Sequence, residues 1–186
     1  MRYFLLFLPW FNTFSRSFSK SVKRPTTSVK HYKITGVGIK TSTTTIVSSN
    51  DDHRFQIKTD LPKIQGGENE AAQPVELFLA SLIGCEQATA MFVARQMQPR
   101  VVISKIEFEV EAYRDNQGAL MLPFGTDTDS VRPVSRLMKI YGRAIVYTNG
   151  SQKDIDFIEK EVLKRCPIAN MVQLSGCEID VDWVKG

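Results

Sequence analysis

Three thiols, Cys85, Cys166 and Cys177, are the residues of this 186-residue chain best suited to covalent chemistry. An odd number argues against a purely structural disulfide framework. In a reducing compartment a few cysteines mean catalysis, redox sensing or inert burial. Free cysteine is also among the most buried residue types, so spacing alone leaves both the redox and the inert reading open. The Cys166 to Cys177 interval fits no zinc pattern, and His31 and His53 are the only histidines, so neither a metal nor a cofactor is expected.

Cys166 follows Ile155 by eleven residues and Val162 by four. At 100° per residue, eleven steps return to within about 20° of the start, which puts Cys166 on a buried helical stripe. Pro167 disfavours helical geometry at the residue before it, so that helix is expected to end near Cys166. A thiol there faces the negative end of the dipole, which suits a resolving group better than an attacking one. Cys85 lies about three turns inside its own helix, too deep for the N-terminal dipole to help much. Lowering its pKa from ~8.5 to ~6 would raise the thiolate fraction at pH 7 roughly thirtyfold. A Brønsted slope of ~0.4–0.5 takes back most of that gain and leaves about twofold. Fast reaction with a peroxide therefore needs a group that stabilises charge on the breaking O–O bond, and a guanidinium is the natural candidate. Cys177, between Gly176 and Glu178, reads as structural.

The elements that carry these residues follow from periodicity. Short antiparallel strands are expected near 31–41, 43–48 and 53–59, where Thr, Val, Ile and Lys dominate. Gly66-Gly67 reads as a turn, since no GK[ST] follows to make a phosphate loop. Pro74 opens the longest helical pattern, which ends before Pro99 and is apolar nearly all round in its first half. Such a helix belongs at the centre of a fold or at an interface; Glu76, Glu86, Gln87 and Arg95 argue against a membrane span. Between Val101 and Tyr113, Val102, Ser104, Ile106, Phe108 and Val110 share one parity, the pattern of a half-buried strand. A loop over 114–134, a strand over Arg136–Thr148, a helix capped by Ser151 and Asp154, and a final strand over Glu178–Val184 complete a single α+β domain.

Charge separates that domain, residues 31–186, from the first 30 residues. The net charge of +4 comes from six basic residues between Arg2 and Lys30, with no acid before Asp51. Without those six, 18 basic residues face 20 acidic ones, a net of −2, and no Lys/Arg stripe remains to bind nucleic acid. The apolar stretch Tyr3–Phe11 is followed by the Arg- and Ser-rich, acid-free run Asn12–Ser21, which is transit-peptide composition. Arg16-Ser17-Phe18 before Ser19 resembles the arginine-at-minus-three site of the mitochondrial processing peptidase. A removable mitochondrial leader over residues 1–30 is expected, with a signal peptide to another organelle as the alternative; Pro9 and the polar run from Asn12 cut the apolar stretch short of a membrane span.

The run Pro74-Val75-Glu76-Leu77-Phe78-Leu79-Ala80-Ser81-Leu82-Ile83-Gly84-Cys85 resembles the first-cysteine helix of the OsmC/Ohr family, the osmotically inducible and organic hydroperoxide resistance proteins. Lys164-Arg165-Cys166-Pro167-Ile168-Ala169-Asn170 resembles the second-cysteine motif of that family, and Gly66-Gly67 ahead of the helix fits too. The resemblance covers residues 31–186. It implies an α+β fold of antiparallel sheets with a long central helix, two chains intertwined as an obligate homodimer, and active sites at their interface. It implies further that Cys85 is peroxidatic, attacking an organic or fatty-acid hydroperoxide to give a sulfenic acid, and that Cys166 captures it as a disulfide. A dithiol such as a protein-bound lipoyl group then restores the thiols. The peroxidase members of that family place a Glu, which holds the catalytic Arg, ten residues before the first cysteine, where this chain has Val75. Glu76, nine before, matches a P-x-E-L branch and is a candidate catalytic acid or else an acid suited to the helix dipole. Arg54, in the third strand pattern, is the candidate catalytic guanidinium. Three readings follow: a two-cysteine peroxidase, an acyl- or aromatic-binding module on the same fold, and a thiol–disulfide sensor without peroxidase activity.

Overall fold

A computed structural model of the chain describes residues 30, 32–50, 53–120 and 134–186. Residues 1–29 of the expected leader and 121–133 of the expected loop lie outside the described residues. The elements run β1 (Ile34–Ile39), β2 (Ser42–Asn50), β3 (His53–Thr59), α1 (Pro74–Gln96), β4 (Ile103–Arg114), β5 (Leu137–Thr148), α2 (Gln152–Arg165), α3 (Pro167–Leu174) and β6 (Glu178–Lys185). Short 3-10 turns at Lys63–Gln65 and Gly118–Leu120 punctuate the loops. The α+β class expected from the sequence is the one observed.

Two separate three-stranded sheets form, β1-β2-β3 and β4-β5-β6. The first is a pair of antiparallel hairpin steps. The second is mixed: β4 and β5 are antiparallel, but β6 runs parallel to β5. The antiparallel pairings expected from the sequence are present in both sheets, and β6 adds one parallel neighbour. A parallel neighbour needs a crossover connection, and α2 and α3 provide it between β5 and β6.

The core lies between the second sheet and the three helices. Ile140, Ala144 and Val146 of β5 and Val181 and Trp183 of β6 meet Leu82, Ala90, Val93 and Ala94 of α1, and Ile155, Ile158 and Val162 of α2. Phe108 closes edge-on against Trp183, with ring centroids 5.8 Å apart. The opposite face of the sheet is a polar ladder, in which Tyr147 donates to Glu107, Arg143 to Glu109 and Tyr141 to Glu111. The alternation expected in β4 holds from Ile106 to Ala112 but fails at its start. A register shift between Ile103 and Lys105 turns the strand over, so Val101 and Ile103 are buried while Val102 and Ser104 are exposed. A bulge inserts one unpaired residue, and side-chain parity inverts across it.

Between β3 and α1 the chain is tied down by Asp60. Its carboxylate is buried and accepts from the backbone N–H groups of Glu68 and Glu70 and from the Thr41 hydroxyl. These hydrogen bonds, led by the one from Glu70, hold the carboxyl down at about 2. Gly66 takes the left-handed conformation (φ 85°) as the turn closes, and a Cβ on Gly67 would stand 1.9 Å from the Leu61 carbonyl oxygen. The Gly-Gly turn is thus a packing requirement of this loop.

Candidate functional site

Two helix stripes bring the thiols together. On α1, Leu82, Glu86, Ala90, Val93 and Ala94 form the buried stripe, while Cys85, Ala88, Thr89 and Phe92 form an adjoining one at helical spacing. This second stripe, with Arg165 of α2, lines an open cavity of about 450 Å3. Cys85 is half-buried on its wall, and Thr89 donates its hydroxyl to the Cys85 carbonyl at 2.8 Å.

Cys166 is fully buried at the end of the α2 stripe, as its spacing from Ile155 and Val162 predicts. It ends α2 through its backbone N–H, which donates to the Val162 carbonyl at 2.8 Å. Its extended backbone (ψ 115°) is what a residue before proline prefers. The sequence did not announce α3: Cys166 is also the cap of that helix, its Sγ accepting from the Ala169 N–H at 3.4 Å. Asn170 donates to the carbonyls of Lys164 and Cys166 and so occupies the otherwise open end of α2. The thiol therefore does not feel the C-terminal end of α2 alone, as expected from sequence, but sits where one helix stops and the next begins. Burial dominates that balance. It pushes the Cys166 thiol up to about 11, aided by the adjacent Cys85 thiol and opposed by the Ala169 N–H. The Cys85 and Cys166 side chains are thus neighbours, and all three cysteines are free thiols.

The other candidates lie elsewhere. Glu76 accepts from the Gln73 N–H at 2.7 Å and completes a capping box at the start of α1, the helix-terminal alternative anticipated for it. Arg54 is exposed on β3, its backbone paired with Ser48, and is not among the residues lining the Cys85 cavity of this chain. Cys177 is buried at the entrance to β6 and lines a different cavity with Arg114 and Arg136. Burial raises its thiol, and Arg136 opposes the shift.

Sequence reasoning passed over two groups at the site. Arg165 Nε donates to Glu161 Oε2 at 2.8 Å, and Lys164 Nζ holds the other carboxylate oxygen at 2.8 Å. A larger cavity of about 670 Å3 continues from Arg165 and Phe92 along the groove between α1 and α2, past Met97 and Phe157. The i, i+4 spacing of Glu161 and Arg165 is the signal that was available. The second group is Glu86, beside Cys85 in sequence but facing the core. Burial, with Glu159 nearby, lifts its carboxyl to about 7.

Residues 67–182 match the family of OsmC-like proteins. The chain belongs to that family. Solved structures of similar shape agree with the OsmC fold. An OsmC-like protein from Mycoplasma pneumoniae is 27% identical, with a TM-score of 0.64 covering 84% of this chain and 97% of the other. An organic hydroperoxide resistance protein OsmC from Legionella pneumophila is 15% identical, with a TM-score of 0.58 and coverage of 85% and 99%. An organic hydroperoxide resistance protein from Elizabethkingia anophelis is 13% identical, with a TM-score of 0.57 and coverage of 86% and 99%. At those last two identities the likeness concerns the OsmC fold. Among curated proteins none matches the chain.

Proposed function

We propose that this OsmC-family protein is a thiol-dependent peroxidase that reduces organic hydroperoxides through Cys85, with Cys166 as the resolving thiol. The observation that carries the reading is the pairing of an accessible thiol on a cavity wall with a buried thiol next to it. Solved neighbours that bear the name organic hydroperoxide resistance protein support the substrate class. In the first step the Cys85 thiolate attacks the terminal oxygen of ROOH. An S–O bond forms as the O–O bond breaks, the electron pair leaves on RO⁻, and a proton converts that to ROH. Sulfur is oxidised to the sulfenic acid and the peroxide is reduced. In the second step the Cys166 sulfur attacks the Cys85 sulfur, forming S–S and releasing water. A dithiol, such as a lipoyl protein, reduces the disulfide. The reading extends to a homodimer of the P-x-E-L branch and to delivery of residues 31–186 into the mitochondrion by the leader.

The binding-module reading draws on Glu76, whose carboxylate is engaged at the α1 cap. One measurement separates them: the second-order rate of Cys85 oxidation by cumene hydroperoxide and by hydrogen peroxide, with the bonded cysteines identified by mass spectrometry. The peroxidase reading expects rapid, organic-selective oxidation that yields a Cys85–Cys166 bond and vanishes in Cys85→Ser. Turnover retained in Cys85→Ser, or a rate no better than a free thiol, rejects it.

A further inference from the structure

The peroxidase reading leaves one requirement open: a cation at the leaving oxygen, since a thiolate alone gains little. We propose that Arg165 is that group and that Glu161 is its positioning residue. The inference rests on the peroxidase reading and names the part of the site that reading lacks.

Arg165 is the one cationic side chain lining the Cys85 cavity among the described residues. Cys85 and Arg165 contribute from different helices, α1 and α2, so a hydroperoxide entering the cavity has the thiol on one wall and the guanidinium on another. The guanidinium is tethered through Nε alone among the described hydrogen bonds, which leaves both Nη groups available to a ligand. Its anchor is well held: Glu161 is 14% exposed, and Lys164 engages the oxygen that Arg165 does not. The bonds from Lys164 and Arg165 keep the Glu161 carboxyl below its ordinary range, so the tether persists at neutral pH. Arg165 also closes the last turn of α2, where a cation is favoured by the helix dipole. It directly precedes Cys166, so the chain that buries the resolving thiol also fixes the guanidinium.

In the reaction, Arg165 donates through Nη to the oxygen that departs as RO⁻ when Cys85 takes the terminal oxygen. The charge is stabilised where it develops, and the guanidinium keeps its own protons while solvent protonates RO⁻ to ROH. Glu161 fixes the fork and touches neither substrate nor sulfur.

The test compares the reduced full chain with its Arg165→Met, Arg165→Lys, Glu161→Gln and Arg54→Met variants by stopped flow. Each is reacted with cumene hydroperoxide and, separately, with an aromatic disulfide that needs the Cys85 thiolate but no O–O cleavage. Loss of one preorganised donor predicts a ~10²–10³-fold slower peroxide reaction in Arg165→Met, with the disulfide reaction changed by less than about threefold. Arg165→Lys keeps the charge but not the fork and is expected to lose about tenfold, as is Glu161→Gln, again in the peroxide reaction alone. These two milder variants carry the test if Arg165→Met does not fold. A fast wild type with Arg165→Met within about threefold of it, or with equal losses toward both reagents, overturns the proposal and leaves the peroxidase standing. So does a large loss in Arg54→Met with none in Arg165→Met. A wild type no faster than a free thiol rejects the peroxidase reading, and this assignment with it.

Discussion

Burial governs two ionisable side chains near Cys85, the Cys166 thiol and the Glu86 carboxyl, and raises both. The eleven-residue interval from Ile155 to Cys166 foretold a buried thiol, and Cys166 is fully buried. Arg165 was hidden because its place on the Cys85 cavity is set by the packing of α2 on α1, although its i, i+4 pairing with Glu161 lies within one helix. Glu86 was hidden for the opposite reason, being a charged residue in the core stripe of an otherwise apolar helix. Its environment has a consequence for stability. Burial, then Glu159, raises its carboxyl from an ordinary 4.5 to about 7 in the folded chain. The unfolded chain ionises first as pH rises, so the folded state is undisturbed below about 4.5 and loses stability until about pH 7. A shift of that size corresponds to on the order of 3 kcal/mol. Glu86→Gln removes the ionisation, and its stability relative to wild type is expected to climb between pH 4 and pH 8. Urea denaturation at several pH values checks this; a difference between the two proteins that stays flat with pH contradicts it.

At the scale of elements, the number and order of the long segments followed from period and caps, while their relations did not. The Ser151–Asp154 box starts α2 where its residues indicate, because a cap is local chemistry. The β4 bulge at Ser104 and the helix α3 escaped notice because each depends on a neighbour: a partner strand for the first, a cysteine cap shared between helices for the second. Asp60 is another such case, a lone acid whose ligands come from the loop eight and ten residues later and from Thr41. This carboxylate joins β3, the turn after β1 and the approach to α1 into one unit. Since its folded pKa is depressed to about 2, its contribution is present above the ordinary carboxylate pKa and disappears as pH falls from about 4 toward 2. Asp60→Asn is therefore expected to melt lower than wild type at pH 7, with the gap in Tm closing as pH falls through that window. A gap of constant size across pH 7 to 2.5 assigns Asp60 a packing role without charge.

For the molecule as a whole, the first sheet is the unusual part. Among the described residues none of its side chains belongs to the core, and its cross-strand register stacks Ile34, Val47 and Phe55 in one row on a single face. Ile34 is 63% and Phe55 59% exposed. Contiguous apolar surface of this kind on a folded chain marks an interface. The long helix repeats the point. By length and composition α1 is apolar enough to cross a membrane, yet its inner stripe packs in the core and Phe78 and Phe92 face outward. In the proposed homodimer a second copy of the same chain would supply a surface with the same unmet requirement, and a two-fold pairing would satisfy both at once. The homodimer reading then predicts that the chain elutes as a dimer in light-scattering chromatography. Charges in the exposed row, in Ile34→Lys with Phe55→Lys, are expected to yield monomers at micromolar concentration, since two buried lysines would cost several kcal/mol of association. If the active site is completed at the interface, the rate of Cys85 oxidation by cumene hydroperoxide falls in parallel with the dimer fraction as the variant is diluted. A monomeric variant that keeps the full rate separates assembly from chemistry and confines the site to the one chain that carries Cys85, Cys166 and Arg165.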